Sequence, residues 1–204
     1  MIYLSKFQLD ISAPGVRQCL ANAQDMHRSL MKPFGDTRQE IGLLYRLVAS
    51  NSAFTLYVQT GELPDWSSLE PYGFHCIGTK DISALTRLYA ENAVLRFSLA
   101  AYPSKMVKDG SKNSKRMPLH NDDERLEWLT RAGDKYGFSI LSAEIRELAD
   151  TVCWRKGSGS FTLNPVEFSG VLRITDAESF WKAYASGIGP EKSYGCGMLL
   201  LSKP

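Results

Sequence analysis

His27 and Lys32, five positions apart, are the pair in this chain best suited to chemistry at a phosphodiester. A histidine takes or gives a proton near neutral pH because its ordinary pKa lies there. A cation held beside it stabilises charge that builds on a phosphorane. Such a pair can cleave a phosphodiester without a metal. The plainer alternative is a histidine that packs and finds one hydrogen bond, as most single histidines do. His27 has a position that allows this, at the border of an apolar stripe and flanked on a helical wheel by Gln24, Arg28 and Met31. A helix C-terminus favours the protonated form, so the sequence leaves open whether His27 acts as base or acid. His75 and His120 have no partner close in sequence and read as structural or surface residues.

A second candidate is Gly187-Ile-Gly-Pro-Glu-Lys-Ser-Tyr-Gly-Cys-Gly197. Its glycines (Gly187, Gly189, Gly195, Gly197) mark backbone that needs positive φ or a close approach. With Lys192 and Ser193 at its tip, such a loop can offer amides and a cation to an anion. It is not a nucleotide loop. Glu191, rather than glycine, precedes Lys192-Ser193, and the loop leads from a helix into a strand, the reverse of a P-loop. The anion would be a polymer phosphate; otherwise the loop is only a tight turn.

A third candidate is the basic block formed by Lys105, Lys108, Lys112, Lys115 and Arg116 against the single acid Asp109. It reads as a polyanion contact or as a solvated loop. Trp154, beside Arg155 and Lys156 near a Gly-Ser tip, is the one tryptophan placed to stack on a ligand. No HExxH, acidic metal cluster or GxSxG elbow occurs. Asp122-Asp123 fits a helix N-terminus better than a catalytic dyad. Neither a metal nor a small-molecule cofactor is expected.

The elements that must position these residues follow from periodicity. Ile2–Leu9 alternates as a strand. Ser12, or a residue near it, caps a helix with Pro14 in its first turn. Val16, Cys19, Leu20, Ala23, Met26, His27 and Leu30 form one helical stripe that Pro33 ends. Residues 42–49 and 53–60 read as a hairpin, 64–72 as a short irregular piece and 74–79 as a strand. This order, strand-helix-strand-strand-helix-strand, is the ferredoxin-like pattern. Residues 94–100, a helix over 121–136, strands near 138–147, 151–155 and 168–174, a helix over 177–186 and a strand over 196–201 repeat it loosely. The predicted fold is α+β, with two tandem ferredoxin-like (RRM-like) domains, 1–85 and 92–204. The halves share element order, not residue identity.

At 204 residues and 44% apolar content the chain can bury a core without staples. The net charge of +2 says little about partners. Four widely spaced cysteines fit reduced thiols rather than a disulfide framework. The N-terminus lacks a signal peptide's apolar core and no run reaches membrane-spanning length, so a cytoplasmic protein without a membrane partner is expected.

Together these residues resemble the CasE family, the CRISPR repeat endoribonucleases of the type I-E Cascade complex. The likeness runs over nearly the whole chain. It is carried by Met1-Ile-Tyr-Leu-Ser-Lys6, His27-Arg-Ser-Leu30, Asn113-Ser-Lys-Arg-Met-Pro-Leu119, Trp128-Leu129, Phe168–Asp176 and, most specifically, Gly187–Leu199. The resemblance implies cleavage at the 3′ base of a repeat hairpin by 2′-OH attack, with His27 moving a proton and Lys32 in a supporting place. It implies that the product guide RNA stays bound and that other Cascade subunits are partners. Arg28 and the basic block, together with Arg155, Lys156, Lys192 and Ser193, would meet the RNA. Gln24 stands where some members carry a tyrosine, so that role does not transfer. A non-catalytic hairpin-binding subunit of the same complex is the alternative, and an unrelated ferredoxin-like regulatory protein is a third reading.

Overall fold

The computed structural model describes residues 1–35, 41–50, 53–108, 114–155 and 159–204. Its first unit runs β1 (Tyr3–Leu9), α1 (Pro14–Ala21), α2 (Ala23–Met31), β2 (Leu44–Ser50), β3 (Ala53–Thr60), a 3-10 segment (Ser67–Tyr72) and β4 (Phe74–Asp81). A short helix α3 (Leu85–Leu88) leads to the second unit. That unit runs β5 (Val94–Ala101), β6 (Ser104–Lys108), β7 (Ser114–Pro118), α4 (Asp122–Tyr136), β8 (Phe138–Glu147), β9 (Thr151–Arg155), β10 (Gly159–Leu163), β11 (Val166–Ile174), α5 (Ala177–Ser186) and β12 (Leu199–Ser202).

Both units form a four-stranded antiparallel sheet, in the orders β2-β3-β1-β4 and β12-β5-β11-β8. Counted within each unit, the order from one edge is fourth, first, third, second strand in both. The repeated topology makes two tandem ferredoxin-like domains without shared residues. The second unit also carries two inserted hairpins, β6-β7 and β9-β10.

Each sheet buries one face under its helices. Phe7, Val16, Leu30, Leu56, Leu69 and Phe74 centre the first core. Leu99, Leu129, Phe168, Leu172 and Phe180 centre the second. A smaller cluster joins Ala23 of α2 to Tyr102, Cys153, Leu163, Tyr194 and Cys196. It seals α2 against the second unit.

Four local expectations change. The stripe from Val16 to Leu30 is two helices, because Asn22 leaves helical space (φ −145°) and caps α2 by accepting from the Gln24 amide at 3.1 Å. The stripe continues because both helices lie on the same core. Ser12 caps nothing: Ala13 precedes α1 without a side-chain cap, while the Ser12 hydroxyl donates to Asp10. The last strand begins at Leu199, not Cys196, since the turn runs on through Gly197. The basic block is a hairpin on both sides of its tip rather than a loop. Lys112 and Lys156 lie outside the described residues.

Candidate functional site

The geometry is built around α2. The Asn22 carboxamide accepts from the Trp154 amide at 3.0 Å and donates to the Trp154 carbonyl at 3.4 Å. One buried side chain thus caps α2 and ties it to β9. One residue on, the Ala23 carbonyl accepts from the Tyr45 hydroxyl, which also reaches the Ser193 carbonyl of the glycine-rich loop at 3.2 Å. The next residue, Gln24, accepts at Oε1 from the Tyr194 hydroxyl at 3.2 Å. The first turn of α2 is therefore fixed by β2, β9 and the loop before β12 together.

His27 follows on the turn so fixed and is half-buried. Its Nδ1 is sealed from solvent and has no hydrogen-bond partner. Its Nε2 is not among the sealed atoms and has no partner among the described residues, so it is the nitrogen that faces outward. Burial lowers the His27 pKa below its ordinary value, because no neighbour compensates the imidazolium for lost water. The site holds a neutral imidazole with one usable nitrogen.

Lys32 is not beside His27. Five residues along a helix is about 140° of rotation, and the Lys32 ammonium lies over the Tyr72 ring, 4.8 Å from its centroid. With Arg28, Ser29 and Asp25 it lines a separate cavity of about 230 Å³. Arg28 is exposed and paired with Asp25 at 2.9 Å. The compact His–Lys pair suggested by spacing does not form, because the helix turns the two side chains to different faces.

The glycine-rich loop packs rather than cradles. The amides of Gly187, Ile188, Gly195 and Gly197 donate to Ala183, Gly197, Lys192 and Ala100 carbonyls, so they are not offered to an anion. Lys192 turns its ammonium onto the Ser186 carbonyl at 2.7 Å, closing the end of α5, and burial lowers its pKa. Gly187 (φ +80°) shows what the glycines do, since a Cβ there would lie 2.7 Å from Leu44 of β2. The backbone of the second unit approaches the first that closely. Gly189 and Gly195 similarly face Trp128 and Tyr45.

Cations on the hairpins divide by strand alternation. Lys105 and Lys115 share one face of β6-β7, Lys108 and Arg116 the other. All four are exposed. Lys105 pairs with Glu124 at 2.8 Å, and Arg116 donates to Ser104. The hairpin is anchored by Arg125 of α4, which is buried and bonds the Leu119 carbonyl, Asp122 and Glu147. Trp154 is 54% exposed on β9, and Arg155 ends that strand. His75 is exposed beside Glu70, and His120 is exposed. Among the described residues no group of three or more His, Cys, Asp or Glu side chains could hold a metal ion, and no helix is long and apolar enough to cross a membrane.

Asn22, Tyr45 and Tyr194 were not singled out from sequence for this site, and Gln24 was named there only as standing where some family members carry a tyrosine. Asn22 carried a usable signal, an N-cap residue type inside a helical stripe. Tyr194 carried none, since its partner lies 170 positions away.

Comparison with known proteins gives this arrangement a context. The chain is 30% identical to the CRISPR-associated endoribonuclease Cse3 of Thermus thermophilus over 213 residues, spanning 97% of this chain and 98% of that protein. It is 35% identical over 117 residues to the CRISPR system Cascade subunit CasE of Escherichia coli K12, spanning 53% of this chain and 57% of that protein. Its fold matches the structure of Thermus thermophilus Cse3 bound to an RNA representing a pre-cleavage complex. That match has a TM-score of 0.85 and 29% identity, covering 98% of each chain. The description of one family, CRISPR associated protein, fits residues 2–203, and the chain belongs to that family.

Proposed function

We propose that the chain is an endoribonuclease that processes CRISPR precursor RNA and stays on its product. The observation that carries this reading is His27. It is a neutral imidazole with one outward nitrogen, on a helix turn clamped by both units. A general acid or base works when held in reach of one atom, and that clamp supplies the positioning.

The reaction is an internal displacement. The 2′-oxygen next to the scissile bond attacks phosphorus as its proton leaves, and the bond to the 5′-oxygen breaks as that oxygen gains a proton. A cyclic phosphate and a 5′-hydroxyl remain. His27 Nε2 makes one of these two transfers. The nucleophile comes from the RNA itself, so no step is assigned to a metal.

Binding belongs to the hairpins and to the exposed side of α2. Phosphates along an RNA stem attract cations from a ribbon that carries them on both faces, as Lys105, Lys115, Lys108 and Arg116 do. Arg28 and Lys32 add charge on the outer side of α2, and Lys32 acts through the RNA backbone rather than at the imidazole. Trp154 offers an open ring for a base. Arg155 is assigned to the RNA with it, whereas Lys192 and Ser193 serve the packing of the loop. Cleavage falls at the 3′ base of the repeat hairpin, and the retained guide RNA joins this chain to other Cascade subunits.

The test is incubation with cognate repeat transcript in EDTA, beside a transcript carrying 2′-deoxy at the scissile nucleotide. The all-ribose RNA is cut and the deoxy RNA is bound and left whole. Loss of cleavage in EDTA, or cutting of the deoxy RNA, contradicts the mechanism.

A further inference from the structure

We propose that the Gln24 carboxamide is a catalytic donor, directing its Nε2 to a non-bridging oxygen of the phosphate on which His27 acts, with Tyr194 as its positioning residue. The inference rests on the ribonuclease reading and names a second group in that site.

The first observation is spacing. Gln24 and His27 are three residues apart on α2, so they are neighbours on one face of the helix. The second is what holds Gln24. The Tyr194 hydroxyl donates to Oε1 at 3.2 Å. Tyr194 itself is 5% exposed, and the Phe161 ring meets it edge-on with centroids 5.6 Å apart. The clamp is therefore a packed side chain from the other unit, not a mobile one. The third is what remains free. Gln24 Nε2 has no partner among the described residues and is not among the atoms sealed from solvent. A carboxamide whose oxygen is held from one side turns its N–H bonds to the other. Gln24 thus has one engaged acceptor and an open donor, three residues before His27 on the same face of α2.

Chemistry gives that donor a task. As the 2′-oxygen adds to phosphorus, negative charge grows on the non-bridging oxygens. A fixed N–H at that place stabilises the charge at no reorganisation cost. Gln24 neither gains nor loses a proton, so the two transfers of the displacement are unchanged. A neutral donor also leaves the His27 imidazole without a second cation against it.

Single-turnover cleavage of the cognate hairpin at saturating protein separates the possibilities, with Kd measured in parallel on the 2′-deoxy hairpin. Gln24→Ala lowers the cleavage constant by about 10²-fold, the cost of losing one such donor, while Kd is unchanged. Gln24→Glu keeps the bond from Tyr194 but lacks the N–H, and it loses rate similarly with its melting temperature retained. Tyr194→Phe keeps the ring packing and loses about tenfold by misplacing the carboxamide. That loss disappears when Gln24 is already alanine. Sulfur in place of the contacted non-bridging oxygen slows the parent and not Gln24→Ala.

Parent-like cleavage by Gln24→Ala, a rate loss matched by an equal loss of binding, or an additive effect of Tyr194→Phe overturns the proposal. All three outcomes leave the ribonuclease reading standing, provided the parent cuts and His27→Ala does not. A parent that does not cut overturns both.

Discussion

At the scale of single residues, burial without a partner is what marks His27. Its Nδ1 is sealed and unpaired, and the resulting loss of water lowers its pKa below 6.5. That shift has a consequence for folding. The unfolded histidine titrates at its ordinary value and the folded one only at lower pH, so the unfolded chain takes up the proton first. The stability contribution is full above 6.5 and is lost as pH falls through the folded value. His27→Leu removes this term. Melting temperature measured from pH 7 to 5.5 should therefore fall less steeply for His27→Leu than for the parent. An equal slope contradicts the burial argument. Gln24, which stands where the family resemblance led to a tyrosine, meets a tyrosine hydroxyl from elsewhere in the chain. A phenol is thus present at this turn, reached from the loop before β12 rather than from α2.

At the scale of elements, the break between α1 and α2 is the feature on which the site depends. Asn22 makes one capping bond and two bonds to the Trp154 backbone. Asn22→Ala loses a cap worth about 1 kcal/mol and strands the Trp154 amide as well. The expected destabilisation is about 2 kcal/mol, read by urea denaturation. Cleavage should fall more than RNA binding, because β9 then no longer fixes the turn that carries His27. A change below about 0.5 kcal/mol contradicts that role for Asn22.

The strand alternations, the apolar stripe and the glycine spacing made most elements legible in sequence, because each reports burial of one face. The break at Asn22 was legible only as an N-cap residue type inside the stripe, since the stripe runs through it unbroken and the partner strand β9 supplies the reason. The His27–Lys32 pair was overread for a related cause. Closeness in sequence places two residues on one helix, but helical rotation decides whether they share a face. The glycine-rich loop was half legible. Its glycines did announce a close approach, but the surface approached is Leu44, Tyr45 and Trp128 rather than an anion.

At the scale of the whole molecule, the two units meet through polar as well as apolar contacts. Arg46 of β2, with its side chain 5% exposed, pairs with Glu167 of β11. Glu167 also accepts from Ser98 at 2.6 Å and from Arg146. Burial raises the Glu167 pKa, but the Ser98 bond and the two guanidinium groups outweigh it and hold the carboxyl below its ordinary value. Gln59 adds bonds from β3 to the Tyr184 and Ala185 carbonyls at the end of α5. Glu167→Ala leaves Arg46 buried without its counter-charge, at a cost of about 3 kcal/mol in urea denaturation. An unchanged midpoint would show that the pair does not join the units.

That joined frame lets a loop from the C-terminal end of the chain fix a helix near its start. Under the proposed function, that frame holds one imidazole at a scissile phosphate. The most direct measurement compares the parent with His27→Ala on cognate repeat hairpin in EDTA, with cleavage and hairpin affinity followed together. The parent is expected to cut once at the 3′ base of the stem, while His27→Ala binds equally tightly and does not cut. Cleavage by His27→Ala at the parent rate would contradict it.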